Sequence, residues 1–154
     1  MPSSKPVDAQ MSWLEVLAAL VLKDGVSLGG LSEDARAVAL GLACCEVPLR
    51  VGLREADINV ALTRALAQSC RFMLIDHVEL RRWLVDAGWL MRDGFGREYR
   101  RVHAAALPAK MQDVAAALAT IDPQAWVQGR RDASQQRREQ RRQAWESSQG
   151  ARPQ

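Results

Sequence analysis

The chain has 154 residues, of which 48% are apolar and 25% are charged, and its formal net charge is +3. A chain of this length usually folds as one domain, and its longest apolar run, residues 16–22, is far shorter than the roughly 20 residues of a membrane-spanning helix. Residues 1–10 lack the basic and apolar segments of a secretory signal, so we expect a cytoplasmic protein. Three cysteines, an odd number, exclude a disulfide framework.

The positive charge is concentrated at the C-terminal end of the chain. Residues 129–154 contain seven arginines and three acidic residues, whereas residues 1–128 contain 14 basic and 15 acidic residues. The excess positive charge of the protein therefore belongs mostly to the tail and not to the chain as a whole. The tail and individual local patches are therefore the places to look for a polyanion partner.

Two helices are predicted in the N-terminal third. The first begins at Ser12, because Ser12 and Glu15 have the spacing of a capping box, and it stops before Gly25, the expected left-handed residue. The second begins at Ser32 and ends before Pro48. Residues at helical spacing predict the buried faces, with Trp13, Leu17, Leu20 and Val21 in the first helix and Val38, Leu42 and Cys45 in the second.

Two further helices are predicted in the middle of the chain. One follows Leu53, and the next is capped by Asp76, with Glu79 completing a second capping box and Gly88 ending the helix. The expected buried residues are Ile58, Ala61, Leu62 and Ala65 in the former and Leu80, Trp83, Leu84 and Ala87 in the latter.

A β-hairpin is predicted after Gly88. The apolar residues 89–91 and the arginine-rich residues 97–102 flank a glycine-bearing turn at 93–96. Helix, loop, helix, hairpin is the order of a winged helix-turn-helix. We therefore predict a mainly α fold with a small β-hairpin, in which a winged helix-turn-helix core carries extra N- and C-terminal helices.

The remaining segments are predicted to be appendages of this core. An N-terminal helix extension covers residues 1–22, the winged-helix-like domain 23–102, an accessory helix 103–128 and a basic tail 129–154. Asp122 and Pro123 are typical of a helix start, but between residues 128 and 143 the only apolar residue is Ala133. Such a segment cannot bury itself in a core, so the tail is either a solvated helix or disordered.

The middle of the chain carries the motif Asp76-x-x-x-Leu80-Arg81-Arg82-x-Leu84-Val85-Asp86-x-Gly88-x-Leu90-x-Arg92. It resembles the signature of the domain of unknown function 2087 family, and the likeness extends over roughly residues 23–102. The resemblance implies a winged-helix-like fold that is sometimes attached to transcription-regulator domains. This sequence departs from the family in two places: Arg54 stands where a serine or threonine cap is usual, and residues 69–75 are more apolar than a short polar connection.

A winged helix would present the start of its second helix to the major groove of DNA. Arginine is the natural reader of guanine, and hairpin cations can hold phosphates. If Leu80 is the centre of the buried face, Arg82 lies about 200° and Arg81 about 100° around the helix, so only Arg82 points clearly outward. The candidate DNA-binding residues of this module are His77, Arg81, Arg82, Arg92, Arg97, Arg100 and Arg101. A solvated, salt-bridged helix is the competing interpretation.

The basic tail is a second candidate for DNA binding. Its arginines come as pairs seven and four residues apart, so a continuous helix would align them as one stripe suited to a phosphate backbone. These residues are Arg130, Arg131, Arg137, Arg138, Arg141 and Arg142. A solubilising extension is the alternative.

Other chemistry finds little support in the sequence. Cys44, Cys45 and Cys70 lack the spacing of a zinc site, and small apolar packing explains them better. His77 and His103 lie in no nucleophile-bearing motif. We therefore expect no catalytic residues, no metal and no cofactor.

We predict a DNA-binding transcriptional regulator, with double-stranded DNA as its partner and a homodimer as its expected state. The alternative is a non-enzymatic adaptor that binds another protein through the same fold. Five of the eight aromatic residues are tryptophan, a residue enriched in interface hot spots, and Trp145 lies in a polar segment that a core does not explain.

Overall fold

A computed structural model describes residues 5–95 and 97–150, and in the first helix it describes side chains from Ser12 onward. These residues form six α-helices and one antiparallel pair of strands, which confirms the mainly α fold with a small hairpin. The elements are α1 (Lys5–Val21), α2 (Glu33–Cys44), α3 (Glu55–Ala67), α4 (His77–Asp86), β1 (Leu90–Arg92), β2 (Tyr99–Arg101), α5 (Ala109–Leu118) and α6 (Pro123–Gly150).

The first helix is longer than predicted. Helix α1 begins at Lys5, so Ser12 lies inside the helix and the prediction of a start at Ser12 is wrong. Pro6 can stand in the first turn, because backbone N–H groups there have no partner within the helix. Helix α1 ends at Val21, and Gly25 then adopts a φ of 67°, as expected for the left-handed position.

The caps of α2 and α4 and the buried face of α3 are confirmed. The Ser32 hydroxyl accepts a hydrogen bond from the Ala35 N–H at 3.2 Å, and Asp76 caps α4 in the same way. Within α3 the buried residues are Ile58, Ala61, Leu62 and Ala65. One predicted buried position is wrong: Ala87 is exposed because α4 has already ended there. Trp13, Cys45 and Trp83 are half-buried and pack against the core, and Cys44 beside Cys45 is fully buried.

The predicted hairpin is present and is extended by a third segment. Gly88, with a φ of 88°, turns the chain from α4 into β1, and Arg92 pairs with Tyr99 across the two strands. Leu53, which precedes α3, forms an antiparallel bridge to Tyr99 with two backbone hydrogen bonds of 2.8 Å. The turn glycine Gly96 lies outside the described residues.

The connection between α3 and α4 is longer than a tight helix-turn-helix turn of three or four residues. It spans residues 68–76, and Phe72 within it is fully buried. The chain is held there by hydrogen bonds of 2.8 Å from the Val26 N–H to the Phe72 carbonyl and from the Leu74 N–H to the Val26 carbonyl. The burial of Cys70, Phe72 and Met73 explains most of the apolar character of this segment, whereas Leu74 is exposed.

The helices pack in two groups joined through α2. Helices α1, α2 and α5 pack against one another, while α3, α4 and the hairpin form the other group, and α2 contacts both α3 and α4. Helix α6 contacts α1, buries Val127 and continues unbroken across residue 129, where the tail was predicted to begin. In the part of the chain that the structure describes, no helix has the length and apolar character needed to cross a bilayer.

Candidate nucleic-acid interface

Helix α4 has one face in the core and one face in solvent. Leu80 and Leu84 are fully buried, which fixes the rotation of the helix about its own axis. The Asp76 carboxylate accepts a hydrogen bond from the Glu79 N–H at 2.8 Å and so defines where the helix begins. Val78 and Arg82 consequently point outward and are exposed.

A shallow groove of about 200 Å³ runs between α4 and the hairpin. We call it the α4–hairpin groove. Its lining residues are Val78, Arg81, Arg82, Val85 and Asp86 of α4 and Arg92 and Tyr99 of the hairpin. The lining contains three guanidinium groups and one carboxylate, so it is net positive, and its two valines make part of it apolar. These are properties suited to an anionic ligand with apolar edges.

Arg81 is held in place by three contacts within the protein. Its Nη1 donates a hydrogen bond to Asn59 Oδ1, and its Nη2 lies 3.2 Å from Glu55 Oε1. Its guanidinium carbon lies 5.3 Å from the centroid of the Tyr99 ring. Only 14% of the side chain is exposed, so Arg81 lines the groove and at the same time ties α4 to α3 and β2.

Arg82 and Arg92 occupy opposite walls of the groove and are both exposed. Arg92 is paired with Tyr99 across the strands, so the two side chains share one face of the hairpin. Its guanidinium carbon lies 6.0 Å from the centroid of the Tyr99 ring, on which the Arg81 guanidinium also rests. The structure thus brings Arg81, Arg82 and Arg92 into one groove, which Tyr99, the only tyrosine of the chain, also lines.

The other predicted hairpin arginines do not line this groove. Arg100 is exposed on the opposite face of β2, because successive side chains of a strand alternate. Arg101 is half-buried and donates a hydrogen bond to the Val47 carbonyl at 3.2 Å. Arg97 is exposed at the turn, with its guanidinium carbon 5.7 Å from the centroid of the Phe95 ring. His77 is half-buried at the start of α4 and is not part of the lining.

The arginines of α6 divide into a docked group and a solvated group. Arg131 is docked: its Nη1 donates to the Val21 carbonyl at 2.7 Å, and its Nη2 lies 2.8 Å from Asp24 Oδ1. This hydrogen bond and the positive charge of Arg131 lower the pKa of Asp24, with smaller contributions from the charges of Arg71 and Arg138. Arg130 lies over Trp126, at 5.0 Å from the ring centroid.

The distal part of α6, residues 135–150, is exposed at every position, and we call it the arm. Its arginines are Arg137, Arg138, Arg141 and Arg142. Because α6 is a continuous helix, these residues fall on one side of it, as the spacing predicted. Trp145, with 63% of its surface exposed, lies on the same side.

The cysteines and His103 have structural surroundings. Burial raises the pKa of the Cys44 and Cys70 thiols to about 12, so both are protonated at neutral pH. His103 accepts a hydrogen bond from the Ala105 N–H at 3.1 Å and caps a short 3-10 helix. Among the described residues, no three His, Cys, Asp or Glu side chains come together as metal ligands would.

Three residues that contact the arginines of the groove were not predicted from the sequence: Glu55, Asn59 and Tyr99. Glu55 and Asn59 are one turn apart on α3 and both bind Arg81, and the Tyr99 ring lies near both Arg81 and Arg92. The four-residue spacing of Glu55 and Asn59 indicates that both lie on one face of a helix. Nothing in the sequence indicated that Arg81 was their partner 22 or more residues away.

A family model described as "Uncharacterized protein conserved in bacteria (DUF2087)" matches residues 31–101. Residues 31–101, just under half of the chain, are similar to the DUF2087 family. The match confirms the resemblance and begins eight residues later than the 23–102 expected from the motif. The DUF2087 segment starts just before α2 and ends with the last residue of β2, so it contains the whole α4–hairpin groove and excludes α1, α5 and α6. No curated protein and no solved structure matches the chain.

Proposed function

We propose that this protein is a regulator that binds double-stranded DNA, with α4 in the major groove and the hairpin against the adjacent backbone. One observation carries the proposal: Arg82 and Arg92 are both exposed and lie on the two walls of one net-positive groove. Helix followed by hairpin is also the element order of a winged helix-turn-helix, which uses its second helix to read DNA.

The exposed face of α4 offers suitable contacts to base edges. Arg82 can donate two hydrogen bonds to a guanine, and Val78, 41% exposed one turn before it, can contact a thymine methyl group. Arg92 and Arg97 on the hairpin supply cations for phosphates, which position the protein without reading sequence.

In this proposal Arg81 has a different role from Arg82. Its Nη1 bonds Asn59, its Nη2 pairs with Glu55 and its side chain is only 14% exposed, so we assign it a positioning role rather than a role in reading bases. By connecting α3, α4 and Tyr99, it sets the distance between the walls that carry Arg82 and Arg92.

The arm extends the proposed interface. Four solvated arginines on one side of a helix suit a phosphate backbone, and contacts of this kind add affinity that falls steeply with salt. The homodimer expected from the sequence stays a prediction.

A protein-binding adaptor is the second candidate, and one observation favours it. Two large apolar side chains of the hairpin region are exposed, Met91 at 59% and Phe95 at 84%. Exposed apolar surface is more typical of protein interfaces than of DNA interfaces, which are more polar and more positively charged.

The test is fluorescence anisotropy of a labelled random duplex, about 24 base pairs long, titrated with the full chain at about 50 mM KCl. We expect Arg82→Ala/Arg92→Ala to weaken binding by about tenfold or more. The matched control is Lys23→Ala/Arg64→Ala, which removes the same charge from exposed residues outside the groove and should cost less than about threefold. Equal losses in the two variants, or no binding by the wild type, would overturn the proposal and leave the adaptor.

A further inference from the structure

A second cavity lies on the other side of α4. Trp83 is about 140° around the helix from Val78, so α4 separates this cavity from the α4–hairpin groove. It has a volume of about 510 Å³ and opens between α2, α4 and α5. We call it the indole pocket, because Trp83 and Trp89 both line it, with Leu40 and Met111 as further apolar walls.

The volume and lining of the indole pocket are those of a small-molecule site. Such sites measure roughly 300–1,000 Å³ and combine mostly apolar and aromatic walls with a few polar groups. Trp83, on α4, is half-buried and supplies accessible indole surface, whereas Trp89, in the short connection between α4 and β1, is 3% exposed and contributes little surface of its own. Flat aromatic walls favour a flat aromatic ligand, because offset stacking adds to the burial of apolar area.

The charges around the pocket are already balanced. Lys110 forms ion pairs with Asp34 and with Glu33, the latter at 3.7 Å. Arg36 donates hydrogen bonds to the Leu28 and Leu31 carbonyls, and its guanidinium carbon lies 5.1 Å from the centroid of the Trp83 ring.

Asp86 also lines the pocket, so its negative charge is present there together with the positive charge of Arg36. A charged ligand would lose hydration without gaining an uncompensated counter-charge, whereas an uncharged ligand avoids that penalty.

We propose that the indole pocket binds a small, flat, uncharged aromatic molecule. This inference does not depend on DNA binding, because it uses the other side of α4, and only Asp86 lines both the pocket and the α4–hairpin groove. A ligand in the pocket would touch Trp83, one residue along the chain from Arg82.

The experiment uses three probes that share one ring system: 2-naphthol, 2-naphthoate and 2-naphthylmethylammonium. Calorimetric titration of the full chain should show saturable binding of 2-naphthol, with a dissociation constant on the order of 0.1 mM for a ligand of this size. The two charged probes should bind at least about fivefold more weakly.

Ala87→Trp tests the location, because Ala87 is exposed at the end of α4 and lines the pocket, so a larger side chain there fills it. It should weaken 2-naphthol binding by about tenfold or more, whereas the control Ala56→Trp, exposed on α3 and outside the pocket, should not.

The indole N–H resonances of the wild type give an independent readout that needs no variant. Binding should move the signals of Trp83 and Trp89 and leave that of Trp145 unchanged. The proposal is overturned if 2-naphthol does not bind, if a charged probe binds as tightly, or if the shifts occur at Trp145 instead.

Discussion

The α4–hairpin groove and the arm are both rich in arginine, yet they hold it in opposite ways. In the groove, Arg81 is fixed by Asn59, Glu55 and the Tyr99 ring. In the arm, every residue is exposed, and the contact of the Arg142 side chain is a 3.8 Å ion pair with Glu146 one turn further along the same helix.

This difference separates two contributions to binding a polyanion. A groove with fixed walls can select a shape and a sequence, because its donors are in place before the ligand arrives. An arm of solvated cations adapts to any phosphate backbone and mainly releases counterions.

The largest expected effect is a weaker salt dependence of DNA binding when the positive charges of the arm are removed. In the variant with Arg137, Arg138, Arg141 and Arg142 all changed to Gln, the slope of log affinity against log salt should fall by roughly three to four, since each phosphate contact contributes about 0.9. The measurement is anisotropy of a random duplex between about 50 and about 300 mM KCl.

The matched control changes the four glutamines of the arm, Gln135, Gln136, Gln140 and Gln143, to Ala. It keeps every charge and should leave the slope unchanged. A slope that is the same in the arginine variant as in the wild type would show that the arm does not touch the phosphates.

Arg81→Met should destabilise the fold, because it removes the link between α3, α4 and β2 and leaves Asn59 without this donor. We expect a loss of about 1–2 kcal/mol in the free energy of unfolding, measured by urea denaturation. The same change at the solvated Arg141 should stay within about 0.5 kcal/mol. Similar losses at the two positions would contradict the division into fixed and solvated arginines.

A proline in the arm should affect only the arm. Gln140→Pro should reduce the helical circular dichroism signal, because proline breaks a helix interior, but it should leave the unfolding free energy within about 0.5 kcal/mol of the wild type. The reason is that residues 135–150 bury no side chain against the body. A clear drop in the unfolding free energy would mean that the arm is part of the cooperative fold.

The smallest expected effect concerns Arg131, the docked arginine of α6. Arg131 lowers the pKa of Asp24 below its ordinary value of 3.8, so the contact stabilises the fold above the pKa of the unfolded chain and is lost as the pH falls through the lower folded value. An NMR titration of the Asp24 carboxyl carbon should show its pKa rising toward 3.8 in Arg131→Met. An unchanged pKa would mean that Arg131 is not docked in solution.

Local signals predicted most of the fold. The caps at Ser32 and Asp76, the positive φ of Gly25 and Gly88 and the inward residues of α3 all follow from neighbours within a few positions. The start of α1 was missed because a capping-box spacing inside a helix looks the same as one at its end.

For the groove, the sequence predicted where the arginines of α4 lie on the helix, but not which residues they contact. Helical geometry placed Arg82 outward and Arg81 to the side, and both positions are as expected. The partners of Arg81 come from α3 and β2, and the sharing of Tyr99 with Arg92 depends on strand register. Such long-range contacts are decided by tertiary packing, which no local pattern in one sequence reports.

The most direct test of the central claim is the set of backbone amide shifts in a two-dimensional NMR spectrum as a random duplex is added to the full chain. We expect the largest shifts at Val78, Arg82 and Val85 of α4 and at Arg92 of the hairpin, with additional shifts in the arm. Shifts confined to the arm, with α4 and the hairpin unchanged, would contradict the account.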